Sequence, residues 1–185
     1  MSTQWPSVTQ VLSVFSDFSR IPPDVLQRAA ARGTEVHGLC AAIAKGLYSV
    51  KIPEGCGGYV NSFRSWFKNV QDVLLVETRL KDPVYQYHGT PDLVVRLKGD
   101  STPRLIDLKT PAALGLLWAA QIAAYERLFT ANGGMECAHS GTLRLKPDGG
   151  RALFDECRHS AQDLHAFLCA LTAYRNFKQE EPHGI

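Results

Sequence analysis

The chain has 185 residues, of which 45% are hydrophobic and 21% charged, and its net charge is +2. We expect residues 1–185 to form a single domain, because domains commonly have about 100–200 residues. The composition excludes a disordered chain. The modest charge excludes a strongly basic DNA-coating protein, although it remains compatible with a nucleic-acid ligand.

Cysteine usage and hydropathy indicate the cellular compartment. Five cysteines occur at irregular spacing without a CxxC pair, which is typical of a protein in a reducing compartment. The N-terminus lacks the pattern of a signal peptide, and no run approaches the ~18 apolar residues that a membrane span needs. We therefore expect a cytoplasmic protein that has no membrane partner.

The first third of the chain favours helices. The opening stretch Trp5-Pro6-Ser7-Val8-Thr9-Gln10-Val11-Leu12 contains a possible cap before a short apolar helix, and Pro22-Pro23 ends this helix and starts another. Helical spacing of apolar residues continues from residue 24 to about residue 47. Residues 52–58 are rich in proline and glycine and predict a loop. An amphipathic aromatic stripe follows, and it contains Phe63, Trp66, Phe67 and Val70.

The middle of the chain favours strands. Residues 73–80, 85–97 and 104–110 predict an antiparallel meander, whose last two strands are joined by the turn-forming residues 98–103. A helix is expected over residues 114–129, then strands over 142–146 and 152–154, and a helix over 160–177. The predicted fold is a mixed α/β domain with a mostly antiparallel-meander sheet flanked by helices.

Two carboxylates and one ammonium group converge on the hairpin formed by the last two strands of this meander. We expect Leu97 to lie opposite Arg104, which places Asp92 opposite Lys109. Because side chains alternate along a strand, Asp107 then shares the face of Asp92 and Lys109. The alternate residues give the other face a core to pack on, and they are Leu93, Val95, Leu97, Ile106 and Leu108.

Paired carboxylates of this kind suit Mg²⁺ or Mn²⁺, which are hard cations that prefer oxygen ligands. Such an ion lowers the pKa of a bound water and polarises a phosphoryl oxygen. Lys109 can orient the nucleophile or offset charge in the transition state. For Asp107-Leu108-Lys109 alone, the competing interpretation is an exposed hairpin stabilised by an ion pair.

Four segments in order carry a family resemblance. They are Arg32-Gly33-Thr34-Glu35-Val36-His37, Gly89-Thr90-Pro91-Asp92, Leu105-Ile106-Asp107-Leu108-Lys109-Thr110 and Gln121-Ile122-Ala123-Ala124-Tyr125. Their order resembles the R-G-x-x-x-H, G-x-x-D, D-x-K-T and Q-x-x-x-Y motifs of the PD-(D/E)XK nuclease superfamily, specifically its RecB-like exonuclease branch. The resemblance spans residues 32–125.

The resemblance implies a restriction-endonuclease-like core and metal-dependent hydrolysis of DNA. A stand-alone exonuclease of recombination, repair or phage DNA processing is the expectation. Asp92 and Asp107 would be metal ligands, Lys109 the catalytic lysine and the Leu108 carbonyl a further ligand. His37 would be an added ligand, and a hydrogen-bonded structural histidine is its alternative.

The resemblance also implies site roles that compete with plainer ones. Gln121 and Tyr125 lie four residues apart on one helical face, where they can contact DNA, brace the site or simply pack the helix. Glu77 matches an acidic position of the first strand, but an ion pair with Arg79 or Lys81 competes. His88 precedes the Gly-Thr-Pro-Asp turn, where it can reach a phosphate or remain solvated.

Two motifs found in related systems are missing from the sequence. Some relatives hold an iron–sulfur cluster with closely spaced cysteines, but Cys137, Cys157 and Cys169 are 20 and 12 residues apart, so we expect no cluster. No Walker A motif occurs, so a helicase or recombination partner would be a separate protein. The alternative for the whole chain is a nuclease-fold module that binds DNA or a protein with little turnover. The complete set of Asp92, Asp107 and Lys109 argues against it.

Overall fold

A computed structural model describes residues 5–47, 51–111 and 115–177. The helices are α1 (Val8–Ser13), α2 (Pro23–Ala44), α3 (Gly57–Phe67), α4 (Trp118–Ala131) and α5 (Ser160–Phe177). The strands are β1 (Val70–Val76), β2 (Leu80–Asp82), β3 (Tyr87–Gly89), β4 (Leu93–Leu97), β5 (Arg104–Lys109), β6 (Gly141–Arg144) and β7 (Leu153–Glu156). Within these ranges no helix is long and apolar enough to cross a membrane.

The ends of the first helices follow from local chemistry. Ser7 caps α1 in a reciprocal capping box with Gln10, within the stretch where the sequence predicts a cap. Pro23 lies in the first turn of α2, where the missing N–H costs nothing. This helix ends at Ala44, about three residues earlier than predicted, and Gly46 follows with a positive φ of 79°.

Helix α3 begins inside the predicted loop 52–58, so that boundary was wrong. Gly58 is needed there for close packing and not for a turn. A Cβ atom on Gly58 would lie only 1.7 Å from the carbonyl oxygen of Pro147. The glycine therefore lets the first turn of α3 approach the segment that joins β6 to β7.

The main sheet has five strands in the order β1-β4-β5-β6-β7. Strands β1, β4 and β5 pair antiparallel, β5 and β6 pair parallel across the α4 connection, and β6 and β7 pair antiparallel. Strands β2 and β3 form a separate two-stranded ladder. The prediction of a mixed, mostly antiparallel sheet flanked by helices is confirmed.

Helices cover both faces of the main sheet. Val36 and Leu39 of α2 and Phe63 of α3 pack on one face in a cluster that includes Leu93, Val95, Ile106 and Leu108. The opposite face packs against α1, α4 and α5 through a second cluster that includes Val94 and Leu105. The alternation predicted for β4 and β5 is therefore confirmed, and each side of the sheet is buried.

Two of the predicted strands differ most in their limits from the observed strands. The predicted strand 73–80 is in fact β1, which starts at Val70 and ends at Val76, and Glu77 follows with a φ of 42° that breaks the extended chain. The predicted strand 85–97 is split into β3 and β4. Pro91 lies between them and has no N–H to donate to a ladder, which explains the break.

The register of the β4–β5 hairpin also differs from the prediction. Arg104 lies opposite Val95 and not opposite Leu97. Leu97 instead pairs with Val70 of β1, and Arg104 turns into an ion pair with Asp100 of the connecting loop. The slip is two residues, and because side chains alternate with a period of two, the predicted faces are unchanged.

Candidate active site

Four of the predicted site residues meet at the end of the main sheet where β4 begins and β5 ends. Asp92 immediately precedes β4, and Asp107 and Lys109 lie on β5 with their side chains on the same face as Asp92. His37 reaches this point from α2, and its Nδ1 atom lies 3.1 Å from Asp92 Oδ1. The sequence prediction that these side chains converge is confirmed.

Asp92, just before β4, contacts residues of α2 and β5 and a residue just after β1. Its Oδ1 contacts His37 of α2, and its Oδ2 accepts a 2.7 Å hydrogen bond from the backbone N–H of Leu108 in β5. Its backbone carbonyl accepts a 2.9 Å hydrogen bond from Glu77, just after β1. These contacts hold the Asp92 carboxylate in one orientation at the end of the sheet.

Asp107 is the most buried charged group of the site, with 4% of its side chain exposed. Burial raises the pKa of Asp107 to about 6; the Lys109 ammonium opposes this rise, and the charge of Asp92 adds to it. Lys109 Nζ lies 2.5 Å from Asp107 Oδ2, but this buried oxygen accepts no hydrogen bond of proper geometry. A buried carboxylate oxygen with unused lone pairs is suited to ligate a cation.

Lys109 is held by a short chain of polar groups. Its Nζ donates a 2.9 Å hydrogen bond to Gln121 Oε1, and Gln121 Nε2 lies 3.3 Å from the Tyr125 hydroxyl. The ammonium also lies 5.5 Å from the centre of the Trp118 ring. Gln121 and Tyr125 therefore brace the lysine from α4. Their position supports the bracing interpretation of the sequence motif over simple helix packing.

The donors at the site match the chemistry of a hard divalent cation. They are the carboxylates of Asp92 and Asp107 and the carbonyl of Leu108. The next carbonyl, of Lys109, accepts a hydrogen bond from Leu145 on the β6 side. Successive carbonyls of a strand point in opposite directions, so the Leu108 carbonyl points toward Asp92. The residues present therefore fit Mg²⁺ or Mn²⁺.

Over the described ranges, no three His, Cys, Asp or Glu side chains are gathered closely enough to hold a metal ion by themselves. This arrangement agrees with the usual mode of Mg²⁺ binding, in which one or two carboxylates are joined by waters and substrate phosphates. His37 is a weaker candidate ligand because its Nδ1 is engaged by Asp92. Burial disfavours the charged imidazole, but the hydrogen bond and charge of Asp92 outweigh this effect and raise the pKa of His37.

Glu77 and His88 differ in their position relative to the cleft. The Glu77 side chain is exposed and does not line the cleft at the site. The contact of Glu77 with the site is the hydrogen bond from its backbone N–H to the carbonyl of Asp92. The guanidinium of Arg79, one of the two expected partners of Glu77, instead forms a 3.0 Å hydrogen bond with His88 Nε2. His88 does line the cleft, and burial together with Arg79 and Lys81 lowers its pKa.

The site opens into a cleft of about 370 Å³. Its walls also include Ser7, Thr9 and Thr90, which come from the segment before α1, from α1 itself and from the turn before β4. Sequence reasoning missed Trp118 and the contribution of the N-terminal segment. Trp118 could have been found from its position three residues before Gln121, on the same helical face.

Comparison with known proteins leaves the family open. The chain matches no protein-family model, and no curated protein is significantly similar to it.

Proposed function

We propose that the protein is a metal-dependent nuclease that hydrolyses DNA phosphodiester bonds, built on a restriction-endonuclease-like core of the RecB-like branch. The observation that carries the proposal is the position of Lys109 beside the buried carboxylate of Asp107, with Asp92 on the same face of an open cleft. Burying a carboxylate costs free energy that a purely structural ion pair seldom recovers. Such a cost is typical of a functional site.

The packing between the motif segments supports the RecB-like assignment. His37 of the first segment contacts Asp92 of the second. Gly89 of the second segment packs against Tyr125 of the fourth, with no room for a Cβ atom. Lys109 of the third segment bonds Gln121 of the fourth. Four segments separated along the chain thus meet at one place, as a shared catalytic role requires.

Asp92, Asp107 and the Leu108 carbonyl would hold the divalent ion, with His37 as an additional donor. When bound, the ion supplies an acidified water and a Lewis acid for the phosphoryl oxygen. Asp107 places its buried Oδ2 atom, which is paired with the Lys109 ammonium, at this point. Asp92 keeps its orientation through the N–H of Leu108.

Lys109 supplies the positive charge that the protein itself contributes to the reaction. Its ammonium can orient a water and offset negative charge that develops on the phosphate. Gln121 and Tyr125 restrict the lysine to one rotamer by the hydrogen-bond chain along α4. They act as positioning residues, because they reach the reacting atoms through Lys109.

Arg79 and His88 offer a second point of phosphate contact. Their side chains form a hydrogen bond near the cleft, and His88 lines the cleft. Guanidinium groups bind phosphate in a bidentate manner, so Arg79 suits a phosphate next to the scissile one. A DNA backbone would then run from the Arg79–His88 pair toward Lys109.

The second candidate function is a DNA-binding or protein-binding module with weak turnover. It is favoured by one observation, namely that Lys109 is already paired with Asp107, as in a purely structural ion pair. A recombination or helicase protein is the class of protein partner that fits either function. The two functions differ in turnover, so they can be separated by one assay.

The test is incubation of the purified protein with labelled linear duplex, circular duplex, single-stranded DNA and RNA. Each substrate is paired with Mg²⁺, Mn²⁺ or EDTA. Cleavage that needs a metal supports the nuclease, and cleavage of linear but not circular DNA supports an exonuclease. Binding without cleavage in either metal would support the module instead. Equal cleavage in EDTA would contradict the proposed chemistry.

A further inference from the structure

A second concave surface adjoins the candidate active site. We define the aromatic groove as the surface formed by Phe15, Phe18, Leu116, Leu117 and Trp118, with Lys109 and Gln121 at its inner end. Its volume is about 610 Å³. This volume falls within the roughly 300–1,000 Å³ of small-ligand sites. Lys109 and Gln121 line both the cleft and the groove, so the two surfaces are continuous.

The walls of the groove expose large apolar side chains that a folded protein normally buries. Phe15 and Phe18 are each 51% exposed, and Leu116 is fully exposed. They lie in two separate segments, one following α1 and one preceding α4. Exposed aromatic groups gathered next to a polar site are typical of ligand contacts, whereas single exposed apolar residues are common and need no explanation.

Trp118 is fixed at the junction of the groove and the active site. Its indole packs directly on Gly115, where a Cβ atom would lie 2.3 Å from the indole Nε1. The same ring lies 5.5 Å from the ammonium of Lys109. A group bound between Trp118 and the phenylalanines would therefore lie next to the lysine that we place at the scissile phosphate.

The charges in the groove favour a ligand whose outer part is neutral and flat and whose inner end is negative. Asp17 lies on the groove wall and is exposed, so it repels a phosphate from the outer part. The only described cation of the groove lining is Lys109, at its inner end. A nucleotide with its phosphate at Lys109 and its base among the aromatic rings matches this distribution of charge.

We propose that the aromatic groove is a base-stacking subsite for an unpaired nucleotide of the DNA strand whose backbone contacts Lys109. This inference rests on the proposed nuclease function and names its substrate class. Aromatic side chains bind bases by their faces, and those faces are available only when a base is unpaired or extruded from the duplex. The protein then prefers single-stranded DNA or a frayed end to a blunt duplex.

Binding of DNA in EDTA tests the groove without depending on turnover. Fluorescence anisotropy would compare a single-stranded oligomer of about 12 nucleotides with a blunt duplex of equal length. We expect tighter binding of the single strand. Phe15→Ala and Phe18→Ala should each weaken single-strand binding by about 5- to 150-fold, the loss of one base–aromatic stack. Phe177→Ala, at an 87% exposed ring at the end of α5, is the matched control and should change nothing.

Abasic DNA shows whether the rings contact a base. Removing the stacked base should weaken binding to the wild-type protein as much as Phe18→Ala does, and Phe18→Ala should lose nothing more on that abasic strand. Equal losses on intact and abasic DNA would overturn the proposal, as would equal binding of single strand and duplex. A concentration-dependent dimer that Phe18→Ala dissociates would also overturn it, because a second copy would then occupy the groove.

The cleavage assay separates the failure of this proposal from that of the nuclease proposal. If the wild-type protein cleaves DNA only with metal, and Phe15→Ala and Phe18→Ala bind single-stranded DNA as tightly as wild type, the base subsite is refuted and the nuclease proposal stands. Selective loss of single-strand binding without cleavage in either metal would refute the nuclease and leave the subsite standing.

Discussion

Replacing Gly89 by alanine should disturb the active site through Tyr125. A Cβ atom at this position would lie 2.6 Å from Tyr125 Cε1 and 2.9 Å from Leu128 Cδ1. Carbon atoms pack at about 3.5–4.0 Å, so the tyrosine ring must retreat by about 1 Å. The 3.3 Å contact between its hydroxyl and Gln121 Nε2 does not survive such a shift. Gln121 then holds Lys109 less firmly.

The expected cost has two parts. Overpacking of a buried site should lower the free energy of unfolding by about 1–3 kcal/mol. Loss of the hydrogen-bond chain from Tyr125 through Gln121 to Lys109 should lower the rate of cleavage by about 10- to 100-fold, since a 1 Å misplacement of a catalytic group can cost that much. Urea denaturation and single-turnover cleavage of labelled DNA measure the two effects.

Two further variants make this test specific. Gly38→Ala is the matched control, because a Cβ atom there meets nothing within 4 Å and Gly38 lies inside α2. It should stabilise the protein by about 0.5–1 kcal/mol, as helical Gly→Ala changes do, and leave cleavage unchanged. Tyr125→Phe removes only the hydroxyl and should lower cleavage with little loss of stability. A Gly89→Ala protein as stable and active as wild type would refute the proposed packing.

Four other variants test the roles assigned to site residues and to one buried ion pair. Lys109→Ala should abolish turnover and leave Mn²⁺ affinity largely intact, whereas Asp107→Ala should weaken both; equal loss of metal affinity in calorimetric titrations would contradict these roles. His37→Ala should lower activity and reduce the preference for Mn²⁺ over Mg²⁺, since nitrogen donors suit Mn²⁺ better. Unchanged activity and preference would make His37 a structural residue. Asp82→Ala should cost about 3 kcal/mol in denaturant titrations, because Asp82 is fully buried and bonds Arg127 at 2.7 Å; a loss below about 1 kcal/mol would contradict this estimate.

The face of the hairpin that carries the site could be predicted because it depends only on alternation. Asp92 and Asp107 share a face in any register that slips by an even number of residues. The predicted register was wrong by two residues, yet the site was unaffected. The register itself depends on contacts outside the hairpin, such as the pairing of Leu97 with β1 and the ion pair between Arg104 and Asp100.

The features that could not be predicted all rest on contacts between distant segments. Gly89 looks like a turn glycine in the sequence, but its neighbour is Tyr125 of α4. Arg79 looks like a partner for Glu77, but it bonds His88 across the β2–β3 ladder. Periodicity describes one element at a time and gives no information on which elements meet.

Metal-dependent cleavage by wild type and Lys109→Ala, measured side by side, shows whether Lys109 and a divalent ion together hydrolyse DNA. Lys45→Ala, which removes an exposed lysine just after α2, is the charge-matched control. Both variants lose one positive charge, so a general weakening of DNA binding affects them alike. We expect cleavage with Mn²⁺ or Mg²⁺ by wild type and Lys45→Ala, no cleavage in EDTA, and none by Lys109→Ala. Cleavage by Lys109→Ala at the wild-type rate, or no cleavage by wild type with either metal, would contradict this expectation.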